Sequence, residues 1–289
     1  MRRIHRVCGV LEAAASDGPE QSPKRGARAK AVPITQRKKV SPPSAAAVDM
    51  SGVLKEHRRQ GGRCALCGET MTRVGVLKHL SGCAFAHDTP KGATQRLVQV
   101  RAMVPGLPAY WLDLEVKADV TLEALDRFLR QLWLECCGHL SVFRIGAVNY
   151  FSRGYDFGLT RAFGTFGGQP AERSMGVKVG DALHLSGQPV EYEYDFGSTT
   201  TLKLSVMTER TGRPGRSAGR LLARNTPPVW PCAICRQPAT WVCTYCLQEE
   251  GNAFACTTHR RQHECGEYEG FLPVVNSPRM GVCGYTGQT

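Results

Sequence analysis

The chain has 289 residues, of which 42% are hydrophobic, and this is enough for about two domains with packed cores. No run of about 18 apolar residues occurs, and the N-terminus lacks the apolar stretch of a secretory signal, so we expect neither a membrane-spanning nor a secreted protein. We therefore expect a cytoplasmic protein without a membrane partner.

The net charge of +12 is concentrated at the N-terminus. Residues 1–49 contain 10 Lys and Arg against 4 Asp and Glu, which accounts for +6 of the total. This segment is rich in Ala, Pro and Ser and shows no helical or strand period, so we predict a disordered basic tail. Two interpretations stay open: a solvated tail, with Met50 as an alternative start, or an arm that binds nucleic acid.

Ten of the 13 cysteines fall in two clusters that also contain histidines. In a reducing compartment this arrangement indicates metal ligands rather than disulfides. Cys8, Cys136 and Cys137 lie outside the clusters, and we expect the adjacent pair Cys136 and Cys137 to be buried.

The first cluster, within residues 50–90, has zinc-finger spacing. Cys64 and Cys67 form a Cys-x2-Cys knuckle, and His79 and Cys83 are four residues apart, on one face of a short helix. In a DNA-reading finger of the ββα type the base-contacting positions would be Thr72, Gly75 and Lys78. Glycine has no side chain for a base edge, so a stapling role or a protein contact is favoured over DNA reading.

Residues 94–208 predict the main domain. Two strands separated by the turn at 105–108 precede an amphipathic helix at 120–135, for which Thr121 is the expected N-cap. The next strand, at 139–145, gives the order strand, strand, helix, strand. We predict the α+β class, with a β-grasp-like mixed sheet flanked by small zinc-bound modules.

A second hairpin is predicted from 189–207, with its turn at Gly197 and Ser198. Apolar residues alternate there with the acidic Glu191, Glu193 and Asp195. A solvated sheet face is the favoured interpretation of this acidic row, and an acidic enzyme site is the alternative. We interpret the isolated histidines 139 and 184 as structural.

The main domain resembles the Ri-plasmid Orf-three-like family, whose members also occur as passenger proteins of insertion sequences. The resemblance rests on "YWLDLEVKADVTLEALDRFLRQLWLE", "GHLSVFRI" and above all "YEYDFGS". Many members continue the last motif with Asp, Trp and His, where this chain has Ser198, Thr200 and Leu202. The resemblance implies the α+β fold over 94–208 and a relation to plasmid and mobile-element proteins.

Residues 209–229 have the Arg- and Gly-rich composition of a linker that ends in a double proline. Its arginines are Arg210, Arg213, Arg216, Arg220 and Arg224. We predict a solvated linker, and phosphate binding without sequence preference is the alternative.

Residues 230–289 contain the second cluster, whose eight ligands in four pairs suit two zinc ions. The order resembles the cross-braced MYND, HIT and B-box fingers, which mostly bind proteins. That resemblance implies one site from Cys232, Cys235, Cys256 and His259 and another from Cys243, Cys246, His263 and Cys265. Cys283 is an alternative ligand for the second site. Full ligation leaves no position for water, so we expect structural rather than catalytic zinc.

Together these patterns predict a non-enzymatic accessory or adaptor protein that holds about three zinc ions. Its partner is expected to be a protein, or nucleic acid contacted by the basic tail and the Arg210 to Arg224 segment. The alternatives are a sequence-nonspecific nucleic-acid-binding protein and an enzyme that uses Glu191, Glu193 and Asp195.

Overall fold

A computed structural model of the chain describes residues 61–156, 170–185, 187, 190–248, 252–263 and 270–287. These residues belong to one compact unit, 44–289. The predicted basic tail at 1–49 and Cys265 lie outside the described residues. None of the helices in the described part is long and apolar enough to cross a membrane.

The predicted finger consists of β1 (Gly62–Cys64), β2 (Thr70–Met71) and α1 (Gly75–Ala86). At the start of α1 the Gly75 amide donates a hydrogen bond to Thr72 Oγ1 at 3.2 Å. Such a bond satisfies one of the amides that a helix leaves without a partner in its first turn.

The hairpin and helix predicted for the main domain are both present. β3 (Gln95–Val104) and β4 (Leu107–Lys117) pair antiparallel around Gly106, whose φ of 75° suits a residue without a side chain. α2 (Leu122–Leu129) follows, and a π-helical turn (Arg130–Leu134) extends it. The predicted cap is confirmed, since Thr121 Oγ1 accepts a hydrogen bond from the Ala124 amide.

The remaining elements of the main sheet are β5 (Ser141–Ile145), β6 (Val148–Phe151), β7 (Ala171–Ser174), β8 (Val190–Tyr194), β9 (Thr200–Gly212) and β10 (Gly219–Asn225), with a short α3 (Val179–Ala182) before β8. The ten strands lie in the order β2-β1-β10-β4-β3-β9-β8-β5-β6-β7. β6 and β7 are parallel, whereas the other neighbours pair antiparallel. This mixed sheet, with helices packed on it, confirms the α+β class.

The prediction of a linker at 209–229 is wrong. Residues 200–212 form one strand, and Gly219–Asn225 forms β10, which pairs with β4 on one side and with β1 on the other. A side chain at Gly219 would collide with Val116, because an added Cβ would lie 2.7 Å from Val116 Cγ1. Glycine therefore allows a close approach between strands here and does not mark a flexible segment.

The core lies between the sheet and α2. Leu122, Leu125, Leu129 and Trp133 on one helical face are fully buried, as the sequence period predicts. Each buried leucine contributes roughly 1.5–3 kcal/mol through the area that it removes from water. In β8 the alternation also holds, since Val190, Tyr192 and Tyr194 are buried.

The C-terminal segment contains β11 (Trp241–Cys243), α4 (Thr244–Gln248), β12 (Phe254–Ala255), a 3₁₀ turn (His259–Gln262) and β13 (Phe271–Pro273). Its three strands form a small sheet of their own. Apolar side chains of this segment continue the main core, in which Val242, Phe254 and Met280 belong to the same buried cluster as Trp133. Hydrogen bonds fix this attachment: Trp133 Nε1 donates to the Asn276 carbonyl at 3.0 Å, and Ser277 Oγ donates to the Trp133 carbonyl at 2.6 Å.

Candidate metal centres

A tetrahedral zinc site sets the distances expected between its ligand atoms. With bonds of about 2.3 Å to sulfur and about 2.05 Å to nitrogen, the edges of the tetrahedron are about 3.8 Å between two sulfurs and about 3.6 Å between sulfur and nitrogen. A disulfide would instead bring two sulfurs to about 2.05 Å. These values allow each cluster of Cys and His to be tested by its geometry.

The finger ligands meet between β1, β2 and α1. Cys64, Cys67, His79 and Cys83 place all their ligand atoms within 4.8 Å of one another. The Sγ atoms of Cys64 and Cys83 are 3.7 Å apart, and Cys67 Sγ lies 3.4 Å from His79 Nε2. Both distances fit tetrahedral edges, so this cluster is compatible with zinc binding.

Two further features of the finger suit a cation. The other ring nitrogen of His79, Nδ1, lies 3.3 Å from a Glu69 carboxylate oxygen, an arrangement that orients a metal-binding imidazole. Burial and the neighbouring thiols of Cys64 and Cys67 raise the pKa of Cys83 to about 12. Three thiolates so close together repel one another, and a bound dication would relieve that repulsion.

In the C-terminal segment the first and third ligand pairs meet. Cys232, Cys235, Cys256 and His259 form a cluster with ligand atoms within 4.8 Å of one another. The two sulfurs of Cys235 and Cys256 are 3.9 Å apart, and His259 Nδ1 lies 3.6 Å from Cys232 Sγ and 3.3 Å from Cys256 Sγ. This is the grouping that the cross-braced pattern implies.

Backbone hydrogen bonds favour the thiolate form of Cys232. Burial acts to raise its pKa, but hydrogen bonds from backbone amides at Cys235, Cys256 and Ile234 outweigh burial and bring the pKa to about 6. A thiolate is the form that binds a metal ion.

The second and fourth pairs meet as well, as far as the described residues extend. Cys243, Cys246 and His263 cluster together, with Cys246 Sγ 3.3 Å from His263 Nε2. The predicted fourth ligand, Cys265, lies outside the described residues. The alternative ligand Cys283 does not take its place, because it lies in a different cluster.

That fourth cluster was not predicted. It contains Cys136, Cys137, His139 and Cys283, again with ligand atoms within 4.8 Å of one another. The expectation of a buried cysteine pair is wrong, since Cys136 is half-buried and Cys137 is exposed. His139 is not isolated either, because its Nε2 atom lies 3.2 Å from Cys283 Sγ. The pattern Cys-Cys-x-His was visible in the sequence, but its fourth member is 144 residues away from His139.

Each of the 11 described cysteines therefore belongs to one of these clusters of Cys and His, and all 11 are free thiols. The four clusters are sites that could hold zinc ions.

The finger helix presents its apolar face to the protein. Val76, Leu80 and Ala84 are buried against Trp111 of β4 and Leu222 of β10. Of the positions that a DNA-reading finger would use, Thr72 and Lys78 are exposed and Gly75 begins the helix.

The arginines of the predicted linker are mostly engaged within the protein. Arg210 and Arg220 both pair with Asp88 and with the buried Glu115, at N–O distances of 2.6 to 3.0 Å. Arg224 Nη2 donates to the Asn276 carbonyl at 2.7 Å. Arg213 and Arg216 are exposed.

The acidic row of β8 is divided between two environments. Glu193 and Glu191 lie 2.7 and 3.6 Å from Arg144 of β5, across the strand pair. Asp195 is buried, has a left-handed φ of 66° and pairs with the buried Arg279. The three carboxylates do not converge on one site, and His184 is exposed at the end of α3.

No protein-family model and no curated protein matches the chain. Among solved structures, part of the chain matches a protein of unknown function from Methanosarcina mazei Go1, with 16% sequence identity. The match covers 45% of this chain and 69% of that chain, with a TM-score of 0.36.

Proposed function

We propose that the protein is a non-enzymatic zinc-binding accessory or adaptor protein, in which the three predicted Cys3His sites each hold one structural zinc ion. The observation that carries the proposal is the spacing of the ligand atoms. The sulfur–sulfur and sulfur–nitrogen distances in the first two clusters, and the sulfur–nitrogen distance in the third, are 3.3 to 3.9 Å and lie within about 0.3 Å of the edges of a zinc tetrahedron.

The packing of the finger supports a stapling role. β1 extends the main sheet by pairing with β10, and α1 buries its apolar face against that sheet. Arg220 donates to the carbonyls of Ala84 and His87 at the end of α1, at 2.8 Å in both cases. These contacts hold the finger against the sheet. Zinc would join the knuckle at Cys64 and Cys67 to α1, which supplies the other two ligands.

The proposed partner is a protein, contacted through the C-terminal zinc segment. Ile234, between the zinc-ligand cysteines of the first knuckle, is 52% exposed, and Tyr245 beside Cys246 is also exposed. Large apolar side chains on a rigid, metal-held loop are suited to protein contacts. The "YEYDFGS" motif supports a proposed relation to plasmid and mobile-element proteins of the Orf-three-like family.

Nucleic-acid binding is less well supported as the main activity. Arg210, Arg220 and Arg224 already have partners within the protein, which leaves Arg213 and Arg216 of the predicted basic segment exposed. An acidic enzyme site is also less well supported, because Glu191 and Glu193 pair with Arg144 while Asp195 pairs with Arg279.

Metal analysis of the purified full chain tests the zinc proposal. We expect at least three zinc ions per chain and loss of cooperative thermal unfolding after treatment with a strong chelator, with recovery when zinc is returned. Fewer than three zinc ions in zinc-sufficient preparations would overturn the proposal that all three sites hold zinc.

The partner proposal is tested by comparing matched variants in quantitative affinity purification. Ile234→Asp should lose the partner that the natural chain captures, whereas Val74→Asp, a change of the 90% exposed valine in the finger, should retain it. If both variants retain every captured protein, the C-terminal segment is not the contact surface. Binding of plain duplex or single strands that falls steeply with salt would instead favour the nucleic-acid alternative.

A further inference from the structure

The fourth cluster joins two distant parts of the chain. Cys136, Cys137 and His139 follow the π-helical turn of α2, whereas Cys283 lies near the C-terminus, 146 residues from Cys137. The segment that carries Cys283 comes after the C-terminal zinc ligands and packs back onto the main domain through Asn276 and Ser277.

The distances within the cluster suit a metal ion and not a disulfide. The sulfur of Cys137 lies 3.8 Å from that of Cys136 and 3.6 Å from that of Cys283. His139 Nε2 lies 2.9 Å from Cys137 Sγ and 3.2 Å from Cys283 Sγ. The sulfur–sulfur distances lie within about 0.2 Å of the edge expected for zinc, and the sulfur–nitrogen distances are shorter than the expected edge by about 0.4 to 0.7 Å. The donor set of three thiols and one imidazole is the same as in the finger.

A buried cation lies next to the cluster, and it supports a metal site independently of the ligand distances. Arg279 is fully buried, its Nη2 atom contacts Cys136 Sγ at 3.6 Å, and it also pairs with Asp195. Three thiolates around a zinc dication carry a net charge of −1, which complements the guanidinium. Asp195 already compensates the charge of this arginine, and the guanidinium N–H group that faces Cys136 can donate to a metal-bound thiolate as an outer-shell partner.

The "YEYDFGS" motif lies beside the same site. In "YEYDFGS", the Tyr194 hydroxyl lies 3.8 Å from Cys136 Sγ, and Asp195 Oδ2 lies 3.5 Å from His139 Nε2. The Ser198 carbonyl accepts a hydrogen bond from Arg279. The turn between β8 and β9, the end of α2 and the C-terminal segment therefore meet at this cluster.

We propose that Cys136, Cys137, His139 and Cys283 form a fourth zinc site, which fastens the C-terminal segment to the end of α2 and to the β8–β9 turn. Zinc is the metal class that fits, because three soft thiolates and one imidazole in tetrahedral arrangement select it over oxygen-seeking cations. Cys137 and Cys283 are exposed, so this ion is accessible to solvent. The proposal does not depend on the three sites of the proposed function.

Zinc content of the full-length protein, measured by native mass spectrometry, tests this proposal. We expect four ions in the natural chain and three in both Cys283→Ser and Cys137→Ser. Thr286→Ala, an exposed change beside Cys283, is the matched control and should retain four. Cys67→Ser should also hold three, because it removes the finger ion and leaves the fourth site intact.

Two results separate the fourth site from the others. Three ions in the natural chain and three in Cys283→Ser would overturn the fourth site and leave the proposed function standing, whereas a natural chain without zinc would overturn both. Alkylation of the natural chain covers the case in which a variant fails to fold. Cys136, Cys137 and Cys283 should react slowly with zinc present and rapidly after chelation, and equal rates or a Cys137–Cys283 disulfide would overturn the proposal.

Discussion

Arg210 and Asp88 form a bidentate ion pair, with the Nη1 and Nη2 atoms of the guanidinium 2.9 and 2.8 Å from the two carboxylate oxygens. Asp88 follows the finger helix and Arg210 lies in β9, so the pair joins the finger to the main sheet across 122 residues. Arg220 of β10 and the buried Glu115 of β4 complete a network of two cations and two anions. Charges in this network balance, which is the condition for burying them at low cost.

Replacing Asp88 with Asn should lower the free energy of unfolding by about 2 kcal/mol at pH 7, since Arg210 and Arg220 would then share a single carboxylate. Urea denaturation of the zinc-loaded protein measures this. The matched control is Asp119→Asn, a change at an exposed aspartate that should cost less than about 0.5 kcal/mol. Equal stability of the two variants would show that the network does not hold the finger.

The Asp88 network also predicts a pH dependence. The hydrogen bonds from Arg210 come first among the causes that lower the pKa of Asp88 to about 2, against about 3.9 in an unfolded chain. A lowered pKa adds stability above the unfolded value, and that stability is lost as the pH falls toward the folded value. The difference in unfolding free energy between the natural chain and Asp88→Asn should therefore be constant from pH 7 to about 5 and narrow below about 4. A difference that widens on acidification would contradict this assignment.

Trp111 is one of the side chains of the main sheet against which the finger packs. It is buried in one cluster with Val76 and Leu80 of α1 and Leu222 of β10. Trp111→Ala should cost about 3–5 kcal/mol by leaving a cavity, and it should speed the release of the finger zinc to a chelator. Phe85→Ala, a change of an aromatic that is 69% exposed on the same helix, should leave both measurements unchanged. If zinc release is equally fast in the two variants, docking on the sheet does not protect the finger.

Local patterns predicted the elements whose determinants are close in sequence. The period of Leu122, Leu125 and Leu129 and the cap at Thr121 specify α2 within one short segment. The finger ligands were predictable for the same reason, because paired ligands a few residues apart can form a tetrahedron once the chain folds back. The grouping of the first C-terminal site instead came from the resemblance to cross-braced fingers, since spacing alone does not say which pairs share an ion.

The failures arise where distant residues decide the structure. Arg210 and Arg220 suggest a solvated linker when considered alone, but Asp88 and Glu115 neutralise them inside the sheet. The fourth cluster was missed for a similar reason, since the sequence gives no sign that Cys283 returns to His139. Composition describes a segment by itself, whereas burial of a charge or a thiol depends on its partner.

Tyr192 and Ser141 share one buried acceptor. The Tyr192 hydroxyl donates to Asp126 Oδ1 at 2.8 Å and Ser141 Oγ donates to the same oxygen at 2.6 Å, which fixes α2 to β8 and β5. Tyr192→Phe should lower the unfolding free energy by about 1.5–3 kcal/mol, because it removes a hydrogen bond to a buried carboxyl group. A double-mutant cycle with Ser141→Ala should give non-additive losses. Strict additivity would mean that the two donors act independently.

Glu69 should strengthen zinc binding at the finger through its contact with His79. Its carboxylate lies 3.3 Å from His79 Nδ1, the ring atom that faces away from the sulfur ligands, so it orients the imidazole and makes Nε2 a stronger donor to the metal. Glu69→Gln should weaken zinc binding at this site by about 10-fold, a moderate effect because the glutamate is largely exposed. Competition with a chromophoric chelator measures the affinity of the weakest sites. Glu123→Gln, which removes a carboxylate paired with Arg153 in the main domain, is the matched control and should leave zinc affinity unchanged. An unchanged affinity in Glu69→Gln would restrict the role of Glu69 to a surface contact.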